Sequence, residues 1–344
     1  MRSFSTIGHA LVFERHGVPE NVLAFREVVV PDANTLGPHE ILVGMLAAPI
    51  NPSDVNTVEG RYPLLPALPA VGGHEGVGKV LAVGSEVSRM GVGDHVVPLA
   101  SKQGTWRSHA VFEERSWARV PQQLPLSILS CLTINPPTAL CLLRDFVALR
   151  PGDVVIQNGA SSAVGQYVIQ LAHHWGLRTV NIVRDREPEA RAALEASLRA
   201  QGATEVVTLH QLRALFAAGG LPAPKLGLDC VGGEAAGAVI KALAPGGTMV
   251  TYGAMSKQPL TAPASSLIFK DVSLRGFWLS GAYSQRPPEE KEALISCVAD
   301  LFKDKVLQPT PVQCVPLSEF HNALKKVQAG GAKVVLSCDA DDAF

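Results

Sequence analysis

The segment Val154–Gly165 combines a short apolar run, a turn of small residues and the start of a helical pattern. Such a turn lets a pyrophosphate approach the backbone and accept N–H hydrogen bonds from a helix N-terminus. Of the usual GxGxxG pattern only Gly159 and Gly165 remain. By itself, such a turn is more often ordinary packing of a strand against a helix. Here it is the first turn of a long region in which apolar runs and helical patterns alternate, and this position favours a dinucleotide site. The residues expected to contact the cofactor phosphates are Ser161, Ser162, Ala163 and Val164.

The end of the next apolar run indicates which dinucleotide is bound. Val183 is followed by Arg184, Asp185 and Arg186, 19 to 21 residues after Gly165. An NAD site usually carries an acidic residue here, whereas two guanidinium groups can bind a 2′-phosphate. The segment therefore favours NADPH, although Asp185 leaves NADH open and an exposed charged loop without function is the alternative.

A second loop of small residues follows the run Thr248–Tyr252, within Gly246–Ala254. Ligands of doubly wound sheets bind beyond the carboxyl ends of the strands. We therefore expect this loop to flank the nicotinamide half of the cofactor, although an ordinary strand–turn would explain the same residues.

Residues 73–87 match GHExxG-x5-G-xx-V, a pattern that flags zinc alcohol dehydrogenases. Catalytic zinc needs three protein ligands, commonly including thiolates. Asn51 stands where that family has its first cysteine, the later cysteine position falls near Ile134 or Asn135, and residues 95–115 contain no cysteine. We therefore expect no metal and a structural role for His74 and Glu75.

The chain contains two kinds of sequence pattern. Residues 1–127 contain short β-type runs broken by Gly and Pro, which predict an antiparallel, barrel-like domain. Residues 128–309 alternate apolar runs with helical patterns, which predicts βαβ units and a doubly wound parallel sheet. Residues 310–344 again show the pattern of the first segment and are expected to rejoin the first domain.

The boundaries of the individual elements follow from the same periodicities. The predicted strands are Ala10–Glu14, Phe25–Val30, Glu40–Ala47, Gly76–Val83, His95–Leu99, His109–Phe112, Val154–Gln157, Arg178–Val183, Glu205–Thr208, Lys225–Cys230, Thr248–Tyr252 and Lys333–Ser337. The predicted helices are Val164–Trp175, Pro188–Ala200, Gln211–Ala217, Ala235–Leu243, Glu289–Lys303 and Leu317–Val327.

Composition restricts the function classes. The net charge of −1 offers no electrostatic reason for a nucleic-acid or anionic-membrane partner. Leu124–Leu143 is too polar for a membrane span. None of the six cysteines forms a CxxC pair, so buried free thiols and a reducing compartment are expected.

The chain resembles the mitochondrial trans-2-enoyl thioester reductases of the medium-chain dehydrogenase/reductase superfamily. The resemblance spans residues from about Ala10 to Leu336 and is carried by Met45–Asp54, Tyr62–Gly73, Val154–Gln166, Arg178–Arg186, Cys230–Gly233, Gly246–Gly253 and Leu274–Ser280. The blocks with Tyr62 and Trp278 are specific to this subfamily. The resemblance implies an α/β protein with a GroES-like β-barrel catalytic domain and a Rossmann NADPH-binding domain.

The implied reaction is NADPH-dependent reduction of the 2,3 double bond of enoyl-CoA or enoyl-acyl-carrier-protein in fatty acid synthesis. By resemblance, Tyr62 is the proton donor. A phenol, with a reference pKa of ~10, is protonated at neutral pH and can serve as that acid. The resemblance also implies that Trp278, Phe277 and Leu279 line the acyl pocket and contact the nicotinamide. Further implied cofactor contacts are Asn135, Lys333, Tyr252, Gly253, Ala254 and Met255.

Three other functions remain open. A quinone or enone reductase would share the fold without a dedicated donor at Tyr62, and a non-enzymatic NADPH-binding protein would bind without turnover. A zinc alcohol dehydrogenase would require a metal. A homodimer and the mitochondrial matrix are implied by resemblance alone, and because the first residues show no evident presequence, a cytoplasmic location is the alternative.

Overall fold

A computed structural model of the protein describes residues 7–338 and divides the chain into two compact units. The first unit runs up to Ile134 and includes Tyr283–Lys303 and the chain from Pro309 onward. The second unit comprises Asn135–Ala282 and Asp304–Gln308.

The elements are numbered here in chain order. The strands are β1 (Ile7–Phe13), β2 (Leu23–Val29), β3 (Glu40–Pro49), β4 (Ala70–Val71), β5 (Val77–Val83), β6 (His95–Pro98), β7 (His109–Glu113), β8 (Trp117–Val120), β9 (Val154–Gln157), β10 (Arg178–Val183), β11 (Glu205–Thr208), β12 (Leu226–Asp229), β13 (Thr248–Thr251), β14 (Ser273–Gly276), β15 (Val312–Pro316) and β16 (Lys333–Ser337). The α-helices are α1 (Pro19–Val22), α2 (Pro52–Val58), α3 (Leu126–Leu129), α4 (Asn135–Arg144), α5 (Ala163–His174), α6 (Pro188–Ala200), α7 (Leu212–Ala217), α8 (Gly233–Ala242), α9 (Ala264–Lys270), α10 (Leu279–Ser284), α11 (Pro288–Lys303) and α12 (Phe320–Ala329).

Two sheets form the first unit. One has the order β2-β1-β4, and the other has the order β15-β16-β3-β5-β6-β8, with β7 also paired to β3. The long strand β3 is buried over almost its whole length because neighbouring strands flank it and core side chains cover it. The tail strand β16 pairs antiparallel with β3 and belongs to the first unit.

The second unit is built on a six-stranded parallel sheet with the order β11-β10-β9-β12-β13-β14. The chain moves outward from β9 to β11 on one side and from β12 to β14 on the other. The strand order therefore reverses between β9 and β12, and ligands of such sheets bind at this switch point. The predicted doubly wound sheet is confirmed.

Buried runs rich in β-branched residues explain why the second unit was predictable. β9, β10 and β11 carry β-branched residues that pack against helices, and β9, β10, β11 and α6 have the predicted bounds. No sequence pattern predicted the short elements α1, α2, α3, α9, α10, β4, β8, β14 and β15, or the ten-residue helix α4. The short elements offer too few residues for a periodicity, and β14 consists of exposed residues. Helix α4 is buried over Asn135–Leu143 and therefore lacks an amphipathic pattern.

The compact units differ from the predicted domain bounds in residues 128–134, in residues 283–303 and at Pro309. The division falls at Ile134/Asn135, and α11 belongs to the first unit. The helix packs near β8, and its Glu292 forms an ion pair with Arg89 of the same unit. The bounds 1–127 with 310–344 and 128–309 therefore differ from the compact units by a few residues and by one helix.

Within residues 7–338, no helix combines the length and apolarity that crossing a bilayer requires. The six cysteines are free thiols. Burial was wrongly predicted for Cys297 and Cys314, which are exposed. Cys297 lies on α11 outside the apolar face of that helix, and Cys314 lies on the edge strand β15.

Candidate active site

The predicted phosphate turn lies between β9 and α5, at the switch point of the parallel sheet. Gly159 adopts a φ of +63°, a conformation that costs little only for glycine. The Ser162 hydroxyl caps α5 by accepting the Gly165 N–H at 3.1 Å. A Cβ at Gly165 would lie 2.7 Å from the Ala160 carbonyl oxygen, so close turn–helix packing requires a glycine there.

A buried carboxylate holds this turn to the neighbouring strand ends. Asp229, at the end of β12, accepts hydrogen bonds from Asn158 Nδ2 at 2.6 Å and Thr251 Oγ1 at 3.0 Å. The same carboxylate accepts the N–H groups of Val231 and Gly232 at 3.1 and 2.9 Å. The carboxyl ends of β9, β12 and β13 therefore form one polar cluster, which no sequence motif indicates.

The second predicted loop is fixed by the same strand ends. The Tyr252 N–H bonds the Asp229 carbonyl at 2.8 Å, and the Met255 N–H bonds the Cys230 carbonyl at 3.0 Å. Burial raises the pKa of the Tyr252 phenol well above its ordinary value; the adjacent Cys230 thiol adds to the shift and Ser162 opposes it. The structure thus brings Tyr252, Gly253, Ala254 and Met255 together with the phosphate turn.

The charged segment after β10 is exposed. Its Asp185 carboxylate lies 3.8 Å from Arg191 Nη1 on α6, and Arg191 Nη2 also donates to Gln211 at 2.6 Å. An arginine from a different element therefore faces the one acidic residue of the Arg184–Arg186 segment. Both flanking arginines are exposed, so their guanidinium groups are accessible to an anionic ligand.

The aromatic segment after β14 is ordered by backbone and ring contacts. The Phe277 N–H bonds the Thr251 carbonyl at 2.9 Å, and its ring contacts Phe146 edge to face at 5.8 Å. Trp278 is 39% exposed, and a Cβ on Gly281 would lie 2.6 Å from its Cε3 atom. The next residue, Leu279, is buried.

In the first unit, the predicted donor Tyr62 packs on a buried imidazole. The Tyr62 and His74 ring centroids are 5.6 Å apart with an interplanar angle of 36°. Tyr62 is partly exposed, whereas His74 is 5% exposed. The Tyr62 N–H donates a hydrogen bond to the Asn56 carbonyl at 3.2 Å, and this bond fixes the loop that follows α2. The Tyr62 ring therefore contacts the His74 imidazole, and the residue is partly exposed to solvent.

A buried polar cluster surrounds the remnant of the zinc pattern. The Glu75 carboxylate accepts hydrogen bonds from Asn51 Nδ2 at 2.9 Å and from the Thr133 and Ile134 N–H groups at 2.9 and 2.8 Å. Lys333 Nζ donates to the Ile50 carbonyl at 3.1 Å and to Asn51 Oδ1. Glu75 thus bridges Asn51 and Ile134, two residues at positions where zinc enzymes of this pattern carry ligands.

Two carboxylates of this region are fully buried. Desolvation raises the pKa of Glu75, and Lys333 and Asn51 oppose that shift. Desolvation likewise raises the pKa of Asp54, against the hydrogen bonds that its carboxylate accepts from the Asn51 and His74 N–H groups. Residues 7–338 contain no group of three or more His, Cys, Asp or Glu side chains that could hold a metal ion.

The predicted site residues divide between the units. Tyr62 and Lys333 belong to the first unit, and the others, including Asn135 at the start of α4, belong to the second. Asp54, Thr133, Asp229 and Arg191 were missed, because no local motif marks a residue that acts through contacts with distant parts of the chain.

The chain matches two family models. These are the alcohol dehydrogenase GroES-like domain over residues 37–122 and the zinc-binding dehydrogenase over residues 163–300. The first match agrees with the β-rich first unit and the second with the parallel sheet, so the predicted fold class is confirmed.

Curated relatives and solved structures match almost the full length. The chain is 46% identical to the mitochondrial enoyl-[acyl-carrier-protein] reductase of Xenopus tropicalis, over 95% of this chain and 94% of the relative. It is 30% identical to Etr1p in a complex with NADP and crotonyl-CoA, with a TM-score of 0.89 and coverage of 96% and 100%. The mitochondrial 2-enoyl thioester reductase Etr1p/Etr2p heterodimer from Candida tropicalis matches at 30% identity with a TM-score of 0.88, over 96% of this chain and 100% of the matched chain.

Proposed function

This chain belongs to the family of mitochondrial enoyl-[acyl-carrier-protein] reductases, and we propose that it reduces the 2,3 double bond of trans-2-enoyl thioesters with NADPH and with a proton from Tyr62. The 46% identity over 95% of the chain carries this proposal. The substrate is an enoyl group on CoA or acyl-carrier protein. The mitochondrial location of the relatives supports a mitochondrial location for this chain.

The residues of the second unit fit a phosphorylated dinucleotide. The turn at Gly159 and the capped N-terminus of α5 offer backbone N–H groups to a pyrophosphate. Arg184 and Arg186 are assigned to the 2′-phosphate, and the ion pair of Asp185 with Arg191 supports that assignment by offsetting the acidic charge. When bound, NADPH supplies a hydride to the β-carbon of the enoyl thioester.

Tyr62 completes the reduction at the α-carbon. The electron pair of the 2,3 double bond moves toward the thioester carbonyl as an enolate and then forms a C–H bond with the phenolic proton. The resulting phenolate regains a proton from solvent. A phenol that is partly exposed and packed on His74 is suited to both steps, because it is held in place and can exchange its proton.

Trp278, Phe277 and Leu279 are proposed to line the acyl pocket and contact the nicotinamide. The support is the fixed course of this segment, which the Phe277–Thr251 hydrogen bond and the Gly281 contact impose. Asn135 and Lys333 are retained as proposed cofactor contacts on the family resemblance alone.

The test measures NADPH oxidation with crotonyl-CoA for the unchanged protein, Tyr62→Phe and Tyr167→Phe. Tyr167 is a matched control, a buried tyrosine on α5 outside the proposed site residues. We expect kcat to fall at least tenfold in Tyr62→Phe and to stay within about twofold in Tyr167→Phe, since general acid catalysis contributes about 10²–10⁴-fold. Inert crotonyl-CoA with rapid turnover of a quinone would instead identify a quinone reductase.

A homodimer is the second proposal. The strand β14 is the edge of the parallel sheet, and all four of its residues are exposed. On the preceding helix α9, Leu267, Ile268 and Phe269 are 42%, 71% and 80% exposed. An open edge beside exposed apolar side chains favours pairing with a second copy.

Light scattering tests the dimer. We expect twice the chain mass of 36.4 kDa for the unchanged protein and a lower average mass for Phe269→Asp. Val92→Asp is the control, since Val92 is similarly exposed but lies in the first unit. A monomer in all three samples would contradict the proposal.

A further inference from the structure

Both ring nitrogens of the buried His74 are fixed by hydrogen bonds. Its Nδ1 accepts the Lys102 N–H at 2.9 Å, and its Nε2 lies 2.8 Å from Thr57 Oγ1. The Thr57 hydroxyl donates its own proton to the Ser53 carbonyl at 2.8 Å, which leaves its oxygen to accept. The network therefore assigns the neutral tautomer with the proton on Nε2.

The backbone of His74 is held as firmly as its ring. The His74 N–H donates to Asp54 Oδ1 at 2.8 Å, and the other oxygen of this buried carboxylate accepts the Asn51 N–H at 2.7 Å. Lys102 reaches His74 from a φ of +66°, a conformation that non-glycine residues rarely adopt. Residues from α2, the 73–76 turn and the loop at Lys102 thus converge on one imidazole.

This imidazole has no free polar atom for chemistry, but one of its faces supports Tyr62. We propose that His74 is a positioning residue, which holds the Tyr62 ring in the orientation that delivers the proton to the α-carbon of the substrate. The inference rests on the proposed role of Tyr62 as proton donor. Well-positioned reacting groups account for large rate factors, and a displacement of about 1 Å can cost about 100-fold.

Three features distinguish this role from general packing. The contact partner is the proposed donor itself, the His74 ring and N–H make three hydrogen bonds to α2 and to the loop at Lys102, and both ring nitrogens are occupied by those bonds. A histidine needed only for stability would affect folding regardless of which residue stands at position 62.

The experiment is a double-mutant cycle with His74→Asn in the unchanged and Tyr62→Phe backgrounds. Asparagine keeps an acceptor for the Lys102 N–H but removes the ring beneath Tyr62. We expect kcat for crotonyl-CoA to fall at least tenfold in the Tyr62 background, while the Kd for NADPH and the KM for crotonyl-CoA change less than threefold. In the Tyr62→Phe background, with rates measured at excess enzyme, the same substitution should change the rate less than twofold.

His74→Phe keeps a ring but removes its hydrogen bonds, and it should lose less activity than His74→Asn. If His74→Asn does not fold, the same double-mutant cycle is measured with His74→Phe. His9→Asn is the matched control, since His9 stacks on Phe25 in the same unit at 4.7 Å, and it should leave both backgrounds unchanged. Equal losses in both backgrounds, or a loss that follows NADPH affinity, would overturn the role of His74. Full activity of Tyr62→Phe would overturn the donor assignment instead.

Discussion

Asn158 Nδ2 lies 2.6 Å from Oδ1 of Asp229, and this hydrogen bond joins the carboxyl ends of β9 and β12 where the strand order reverses. Asn158 also accepts the Cys230 N–H at 2.9 Å. The amide and the carboxylate thus satisfy each other in a buried environment and fix the loops on both sides of the switch point.

Asp229→Asn is expected to weaken NADPH binding about tenfold. The amide group would present N–H donors where Asn158, Thr251 and two backbone N–H groups now donate, and unsatisfied buried donors cost about 1–3 kcal/mol. Fluorescence titration with NADPH measures the change. The control is Asp153→Asn. Asp153 directly precedes β9, and this substitution removes its ion pair with Lys225. An unchanged Kd for Asp229→Asn would show that the loops keep their course without the carboxylate.

Cofactor preference should depend on both arginines after β10. Arg184→Gln and Arg186→Gln are each expected to lower the NADPH-over-NADH ratio of kcat/KM about tenfold, because hydrogen bonds to charged groups contribute about 1.5–3 kcal/mol. Arg199→Gln on α6, whose arginine pairs with Glu195, should leave the ratio unchanged. If neither substitution after β10 alters the ratio, the 2′-phosphate is bound elsewhere.

Local patterns made the parallel sheet and the phosphate turn predictable. β9 and β10 are uninterrupted buried runs, and the turn at Gly159 follows directly in sequence. The Asn158–Asp229 hydrogen bond joins residues 71 positions apart, and the Glu75–Ile134 hydrogen bond joins residues 59 apart. Such contacts depend on the folded topology, so the sequence showed where strands end but not which polar side chains meet there.

Gly281→Ala is expected to lower activity by displacing Trp278. The added Cβ would lie 2.6 Å from the indole, a separation that requires the ring to shift. We expect a higher KM for crotonyl-CoA with little change in melting temperature, since the indole is 39% exposed and can move outward. Gly91→Ala, at a site where an added Cβ contacts nothing, is the control. A normal KM would contradict the assignment of Trp278 to the acyl pocket.

Thiol reactivity should separate the cysteines into two classes. Burial raises the pKa of Cys131 to about 12 and of Cys230 to about 11. Because the thiolate is the reactive form, both should resist iodoacetamide from pH 7 to 9, whereas the exposed Cys297 should react. Peptide mass spectrometry with and without denaturant measures this. Modification of Cys230 in the native protein at pH 7 would indicate that the switch-point loops open.

Glu75→Gln is expected to lower the melting temperature more than any surface charge substitution. The amide keeps an oxygen for the Thr133 and Ile134 N–H groups, but its NH₂ group would face the Asn51 Nδ2 donor, and Lys333 would lose its nearby negative charge. Leaving a buried donor without an acceptor costs about 1–3 kcal/mol. Adding Lys333→Met should recover part of the loss, because the uncompensated ammonium is then removed. Asp300→Asn, which removes an exposed pair with Lys303, should change little. Equal melting temperatures for Glu75→Gln and Asp300→Asn would show that the cluster in place of the zinc ligands is not held by the Glu75 charge.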